Sequence, residues 1–202
     1  MRLRHHVNPL KAGGAPRARA VALPREGEVE VELGCADARF LFERAPQHPA
    51  TLFVGLEIRE PLVEQVNLDA AERGVANVRA FFAHVNVDLD ALFPDERLAR
   101  AFLNFPDPWF KRRHHKRRVV TPELVETLHR KLRPGGALFF QSDVFGLALD
   151  ALGVLEAAPS RFANLAGPWS FARENPYGAR SLREVRCEEL GARIWRMHYR
   201  RL

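Results

Sequence analysis

"VEVELGCADARFLFERAP", residues 29–46, runs through a strand, a turn and a helix in succession. Val29, Val31 and Leu33 alternate with Glu30 and Glu32 until Gly34 interrupts them, which reads as a strand ending at a turn. "ARFLFERAP" (38–46) then reads as a helix closed by Pro46, and "TLFVGLEI" (51–58) as a buried strand rich in β-branched and aromatic residues. Strand, helix, strand at this spacing is the repeating unit of a parallel sheet. Working outward, "EPLVEQVNLDAAERG" (60–74) carries helix start and stop signals, and "NVRAFFAHV" (77–85) reads as a third strand. "ERLARAFLNF" (96–105) contains a fourth. "TPELVETLHRKLRPGG" (121–136) reads as a helix with Thr121 as N-cap and Pro122 in its first turn. "GALFFQSD" (136–143) is a fifth strand and "VFGLALDALGVLEAA" (144–158) a helix. Residues 161–202 read as two more strands around a Pro-rich loop, the last being "RIWRMHYRR" (193–201). The expected architecture is α/β: an open, doubly wound, mostly parallel sheet with helices on both faces.

A chain of 202 residues, 47% of them hydrophobic, fits one ordinary domain with a full core. Residues 1–27 are Pro-, Gly-, Arg- and Ala-rich without a period and read as a loose basic N-terminal arm, with the folded domain over 28–202. No secretory signal is found near Met1, and no segment approaches the ~20 apolar residues of a membrane span. Cys35 and Cys187 match no zinc or disulfide spacing. The expected location is the cytoplasm, with no membrane association and no metal.

The formal charge is +6, and six cations with no acid fall in "KRRHHKRR" (111–118), so the rest of the chain is about neutral. A concentrated basic cluster suits a polyanion, nucleic acid above all, although a solvated surface run has the same composition. Six phosphate contacts would give a log–log salt slope of roughly −4 to −5.

Ligands of such sheets bind at the carboxyl ends of the strands. That edge carries Gly34, Glu57, His84, the run Asn104–Asp107 and Asp143. Glu57 ends the second strand, where an acid accepts hydrogen bonds from ribose hydroxyls; the plain alternative is a surface Glu. Glu32 lies inside a strand expected to be buried, so its carboxylate needs donors, from a ligand amine or from backbone amides. The turn "GCADA" (34–38) keeps one glycine where nucleotide loops have three. Ala36 and Ala38 are small enough to allow close approach, but would be strained where φ is positive. Pro106 and Pro108 fix the backbone on either side of Asp107. A rigid acid there is a good acceptor for the N–H edge of a guanine, and the alternative is a turn-capping Asp. Trp109 and Phe110 offer flat faces for stacking or for packing. His114 and His115 read as phosphate or backbone contacts, since no third metal ligand is near.

The segment "NFPDPWFKRRHHKRRVVTPELVETLHRKLRPGG", followed by "SD", resembles the tRNA (guanine-N7)-methyltransferase family, whose hallmark is Phe-Pro-Asp-Pro-Trp-x-Lys-x-x-His-x-Lys-Arg-Arg. Residues 105–118 fit it at nearly every position, and the similarity extends from about Glu28 to the end through "VELG", "GLEIR", "NVRAF" and "SLRE". The resemblance implies a Rossmann-like class I methyltransferase fold, seven-stranded with an antiparallel C-terminal strand. It implies methyl transfer from S-adenosyl-L-methionine to N7 of a guanine in the tRNA variable loop. No protein partner is implied, and the sequence leaves monomer and homodimer open. By position, Glu32, Gly34, Glu57, Asn104 and Asp107 resemble cofactor contacts, and Asp107 is also the catalytic candidate. The family's adenine-side Asp falls on His84, or on Asn86 if the loop slips. Lys111, Asp143, Ser181, Leu182, Arg183 and Glu184 resemble substrate contacts, the last four as a variant of Thr-x-x-Glu. Arg113, His114, His115, Lys116, Arg117 and Arg118 resemble the RNA-contacting segment.

Guanine N7 already carries a lone pair, so no base need remove a proton before attack and no Ser, Cys or His nucleophile is required. Methylation makes the base cationic, and a nearby acid favours that state over the neutral one. Two other readings share these residues. One is a non-catalytic tRNA-binding relative that has lost cofactor through the GCADA loop; the other is a small-molecule methyltransferase with an incidental basic loop.

Overall fold

The computed structural model describes residues 21–202. Its strands are β1 (Val29–Leu33), β2 (Leu52–Glu57), β3 (Val78–Phe82), β4 (Leu98–Asn104), β5 (Leu132–Ser142), β6 (Phe162–Asn164) and β7 (Trp195–Arg201), ordered β3-β2-β1-β4-β5-β7-β6 in one sheet. The first five pair in parallel, and β7 runs antiparallel to both β5 and β6. The helices are α1 (Arg39–Arg44), α2 (Glu60–Glu72), α3 (Val85–Leu92), α4 (Pro122–Lys131), α5 (Phe145–Glu156) and α6 (Leu182–Glu189). The mostly parallel α/β sheet expected from the sequence is therefore present, with its antiparallel C-terminal strand. No helix among the described residues is long and apolar enough to cross a membrane.

β1 lies in the interior of the sheet and is buried on both faces. Val29, Val31 and Leu33 join a core with Leu89, Leu128 and Leu152 of α3, α4 and α5. The opposite face holds Phe40, Phe53, Val66, Phe102 and Phe139 beneath α1 and α2. The period-two pattern of "VEVEL" thus marks two buried acids rather than a solvent face, and the first of them is ion-paired. Glu30 accepts Arg44 Nε and Nη2, both at 2.8 Å, and Arg100 Nη1 at 2.6 Å. The Arg44 guanidinium is ringed by Phe40, Phe53, Phe102 and Tyr177, 4.9–5.9 Å from their centroids. Such an acid is tolerated in a core because its lone pairs are met by charged donors.

Several expected boundaries move. The helix expected over 121–136 stops at Lys131, and Leu132 already belongs to β5. Pro134 disfavours helical geometry at Arg133, and Gly135 has φ +74°, so the chain bulges and the register jumps from Leu98–Leu132 to Arg100–Ala137. The third strand ends at Phe82 rather than at residue 85, because α3 begins there, its entry capped by Asp88 Oδ2 accepting from the His84 N–H at 2.8 Å. α6 was not foreseen either; Ser181 Oγ accepts from the Glu184 N–H at 3.2 Å and caps it. Most of the arm expected over residues 1–27 lies outside the described residues. Residues 21–27 are held rather than loose: the buried Val21 donates its N–H to the Leu92 carbonyl at 3.1 Å. Arg97 donates to the carbonyls of Pro24 and Gly27 at 2.9 and 3.1 Å.

Candidate active site

The strand order reverses direction between β1 and β4, so the connections leaving their carboxyl ends pass to opposite faces of the sheet and leave a crevice. A cleft of about 760 Å³ opens there. It is lined by Glu32, Gly34 and Ala36 from β1 and its turn, by Glu57 and Arg59 after β2, by His84 and Asn86 at α3, and by Asn104 and Asp107 after β4. Asp143, Ser181, Leu182 and Arg183 complete the far wall.

The turn after β1 keeps a glycine-like backbone without the glycines. Gly34 has φ +84°, Ala36 +49° and Ala38 +52°. The alanines therefore hold the left-handed conformation that a Cβ disfavours. One device holding them is Glu57, which accepts from the Ala36 N–H at 3.1 Å. Close packing is another: a Cβ on Gly55 would lie 2.5 Å from Cys35 Sγ, so β2 must carry glycine beneath the turn. Ala36→Gly is expected to stabilise the chain by up to about 1 kcal/mol, the relieved strain outweighing the extra unfolded-state entropy. A calorimetric melting scan should show a rise of about 2–4 °C.

Glu57 is buried and its carboxylate collects several donors. Besides Ala36, they are the N–H groups of Ile58 and Arg59 at 2.9 and 3.0 Å and the Arg59 guanidinium at 2.9 Å through both Nε and Nη2. The same guanidinium feels the negative charge of Asp107. Arg59 thus bridges two acids of the cleft electrostatically, an arrangement the sequence reading missed. Its signal was an Arg two positions beyond a strand-end acid.

Glu32 is the most unusual acid. Oε1 accepts from Asn104 Nδ2 at 2.7 Å, while Oε2 is buried and has no hydrogen-bond partner. Burial, with lesser repulsion from Asp37 and Glu57, pushes its pKa up from an ordinary 4.5 to about 8. The folded pKa lies above the unfolded one, so this group opposes folding increasingly as pH climbs from about 4.5 to about 8. Ligand-free Glu32→Gln is expected to melt higher than the parent chain at pH 8, with the gap closing towards pH 5 in a fluorescence melting series.

After β4 the chain turns sharply: Phe105 has φ +51° and Trp109 +46°, bracketing Pro106-Asp107-Pro108. Asp107 lines the cleft between two imino acids. A 3-10 turn, Arg112–Arg117, follows. Its cations divide. Lys111, Arg112, Arg113 and Lys116 are exposed. Arg117 folds back over Trp109, 4.9 Å from the ring centroid, with His114 edge-on to that ring at 5.9 Å. Arg118 donates to the Pro108 carbonyl at 3.1 Å, pairs with Asp150 and meets His115 Nε2 at 3.2 Å. Arg117 and Arg118 therefore brace the Pro-Asp-Pro turn, and one face of Trp109 is taken by a guanidinium. Phe110 is exposed. His84 and Asn86 both line the cleft, and Asn86 Nδ2 donates to the Val119 carbonyl at 2.9 Å.

On the far wall Asp143 pairs with Arg183. Ser181 caps α6, whereas Glu184 is fully buried behind the cleft. Its carboxylate accepts from Gln141 Nε2 at 2.8 Å, Arg196 Nη2 at 2.9 Å and Asn175 Nδ2 at 3.1 Å. It thus engages the fold rather than facing the cleft. Gln141 and Arg196 were not among the sequence candidates. Among the described residues no group of three His, Cys, Asp or Glu side chains is placed to hold a metal ion.

A family described as "Putative methyltransferase" matches residues 26–197. The tRNA (guanine-N(7)-)-methyltransferase of Synechococcus sp. (strain JA-3-3Ab) is 40% identical over 200 residues, covering 96% of this chain and 84% of that protein. The chain belongs to the tRNA (guanine-N7)-methyltransferase family. The relative of the same name from Synechocystis sp. (strain ATCC 27184 / PCC 6803 / Kazusa) is 36% identical, covering 97% of this chain and 95% of its own length. Among solved structures, the 16S rRNA methyltransferase KamB superposes with a TM-score of 0.63 at 15% identity, covering 91% of this chain and 99% of its own. The aminoglycoside resistance methyltransferase NpmB1 does so with 0.58 at 15% identity, covering 92% and 99%. At that identity the two structures speak for the fold alone.

The cleft suits the family's cofactor. A buried carboxylate oxygen without a donor fits a cationic amine, and Glu57, a buried acid at the end of β2, stands where such sheets accept a ribose diol. The degraded glycine loop, the ground for a non-catalytic relative, keeps the left-handed backbone that glycines would have provided.

Proposed function

We propose that the chain methylates N7 of a guanine in the tRNA variable loop and uses S-adenosyl-L-methionine as donor. The observation that carries this reading is the sharing of one cleft by Glu32, Glu57 and Asp107, with the cationic 3-10 turn continuing directly from the Pro-Asp-Pro segment. Glu32 would hold the cofactor's amine and Glu57 its ribose. When bound, the cofactor supplies an activated methyl group on a sulfonium. His84 or Asn86 would flank the adenine, Gly34 gives the loop its close approach, and Asn104 orients Glu32.

Asp107 accepts from the N–H edge of guanine and opposes the positive charge that the base acquires. Its rigid setting means little entropy is lost on ordering, and positioning is most of the catalytic task. Asp143 and Arg183 present a charged pair at the far wall, beside Ser181 and Leu182, for the substrate strand. Lys111, Arg112, Arg113 and Lys116 contact tRNA phosphates, with His114 and His115 alongside. Because the target base must leave its stack to reach the cleft, the exposed cations hold the flanking backbone while it does so. This activity belongs in the cytoplasm with its tRNA substrate.

Incubation with labelled S-adenosyl-L-methionine and unmodified tRNA, followed by nucleoside analysis, is the test. N7-methylguanosine is the expected product; a different methylated nucleoside refutes the substrate assignment.

A further inference from the structure

Four polar side chains on four adjacent strands form a row inside the sheet: Glu32 on β1, Asn104 on β4, Gln141 on β5 and Arg196 on β7. Asn104 and Gln141 are register partners, as are Gln141 and Arg196. Asn104 Nδ2 donates to Glu32 Oε1 at 2.7 Å. Gln141 Nε2 donates to Asn104 Oδ1 at 3.0 Å and to Glu184 Oε2 at 2.8 Å, while Gln141 Oε1 accepts from Arg196 Nε at 3.2 Å. Gln141 and Glu184 are completely buried.

The polarity of this row is forced from its far end. A guanidinium can only donate and a carboxylate can only accept. Arg196 and Glu184 are themselves paired at 2.9 Å, so Gln141 must turn its oxygen to one and its N–H₂ to the other. Asn104 then meets an N–H₂ and must answer with its oxygen. Its own N–H₂ is left for Glu32. Were Gln141 to lose that polarity, Asn104 could turn its oxygen towards Glu32, and two acceptors would face each other.

We propose that Gln141 and Glu184 are positioning residues for the cofactor acid, holding Asn104 in the one orientation that keeps Glu32 able to bind a cationic amine through its remaining oxygen. The inference rests on the reading of Glu32 as the cofactor's amine acceptor. It gives the buried Glu of the Ser-x-x-Glu segment a role in cofactor binding, exerted through three intervening hydrogen bonds. The groups facing Glu32 set the pH behaviour. Asp37 and Glu57 disfavour its charge, burial and the same three acids together push the Cys35 thiol up, and Asn104 is the donor that favours the charged form of Glu32.

The test is calorimetric titration of S-adenosyl-L-methionine into the full chain between pH 6 and pH 9, for the parent, Gln141→Glu and Glu184→Gln. Taking variant-to-parent ratios cancels the cofactor's own titration. Both variants should bind about tenfold more weakly at pH 7, a displacement of the profile by roughly one pH unit, and should recover towards pH 9. A loss uniform across pH, as a general loosening of the fold would give, overturns the proposal; so does an unmoved profile. Should a variant fail to fold, the parent chain decides. The side-chain amide ¹⁵N signals of Asn104 and Gln141 must shift with one shared midpoint as Glu32 titrates, and a silent Gln141 overturns the relay. Absence of binding by the parent at every pH would instead sink the assignment of Glu32, leaving the amide coupling to be judged separately.

Discussion

Asp107→Asn is expected to lower the single-turnover methylation rate by about 10²–10³-fold, with cofactor affinity and tRNA affinity within a few-fold of the parent chain. The substitution keeps the side chain's size and one acceptor oxygen. It removes the negative charge that faces a base turning cationic, and electrostatic stabilisation of this kind is worth that much when one group is deleted. Pro106 and Pro108 hold the backbone whether or not the charge is present, so the loss should fall on the rate and not on the fold. Asp107→Glu is the informative companion. It restores the charge on a longer arm at a site fixed by two rings, and should recover only part of the rate. Rapid-quench measurement at saturating tRNA and cofactor would decide. A rate for Asp107→Asn within about threefold of the parent would remove this carboxylate from the chemistry.

The sequence made the sheet legible where local signals agreed. In residues 29–46 alternation, a turn glycine and a helical run all point one way, and the strand, turn and helix lie where they were expected. The two unforeseen helices share a cause. α3 and α6 are each eight residues long and each is started by a side chain reaching a backbone N–H, Asp88 to His84 and Ser181 to Glu184. For α6 the signal was in view, since Ser-x-x-Glu ahead of a helical run is a capping box. For α3, Val85 and Val87 extend the β-branched texture of β3 and hide the change of period. The positions of Glu57 and Asp107 followed from the rule that ligands gather at strand carboxyl ends, and Glu32 stood out as an acid inside a strand that had to be buried. What side chains far apart in sequence do to one another did not. Arg59 on Glu57 needs the turn at the end of β2, and the buried Glu184 of α6 needs Gln141 and Arg196 of the sheet, 43 and 12 residues away.

The basic run shows the same limit with a measurable consequence. Counting residues gives six cations and a salt slope of roughly −4 to −5. The fold withdraws two of them. Arg117 lies over Trp109, and Arg118 is bound to Asp150, the Pro108 carbonyl and His115. Releasing either would expose the indole or break the brace on the Pro-Asp-Pro turn, so the four exposed cations Lys111, Arg112, Arg113 and Lys116 are the ones free to displace counterions. Four contacts give a slope of about −3, between −0.7 and −0.9 per contact. From 50 to 200 mM salt, tRNA affinity should therefore fall by about 50–150-fold, as read by fluorescence anisotropy of labelled tRNA. Lys116→Ala should flatten the slope by nearly one unit. Asp150→Ala should do the reverse, freeing Arg118 to join the phosphate contacts and steepening the slope towards −4. A slope near −5 in the parent chain would mean that Arg117 and Arg118 leave Trp109 and Asp150 when RNA arrives. The Pro-Asp-Pro turn would then be braced by the substrate itself, and Asp107 would be ordered only in the complex.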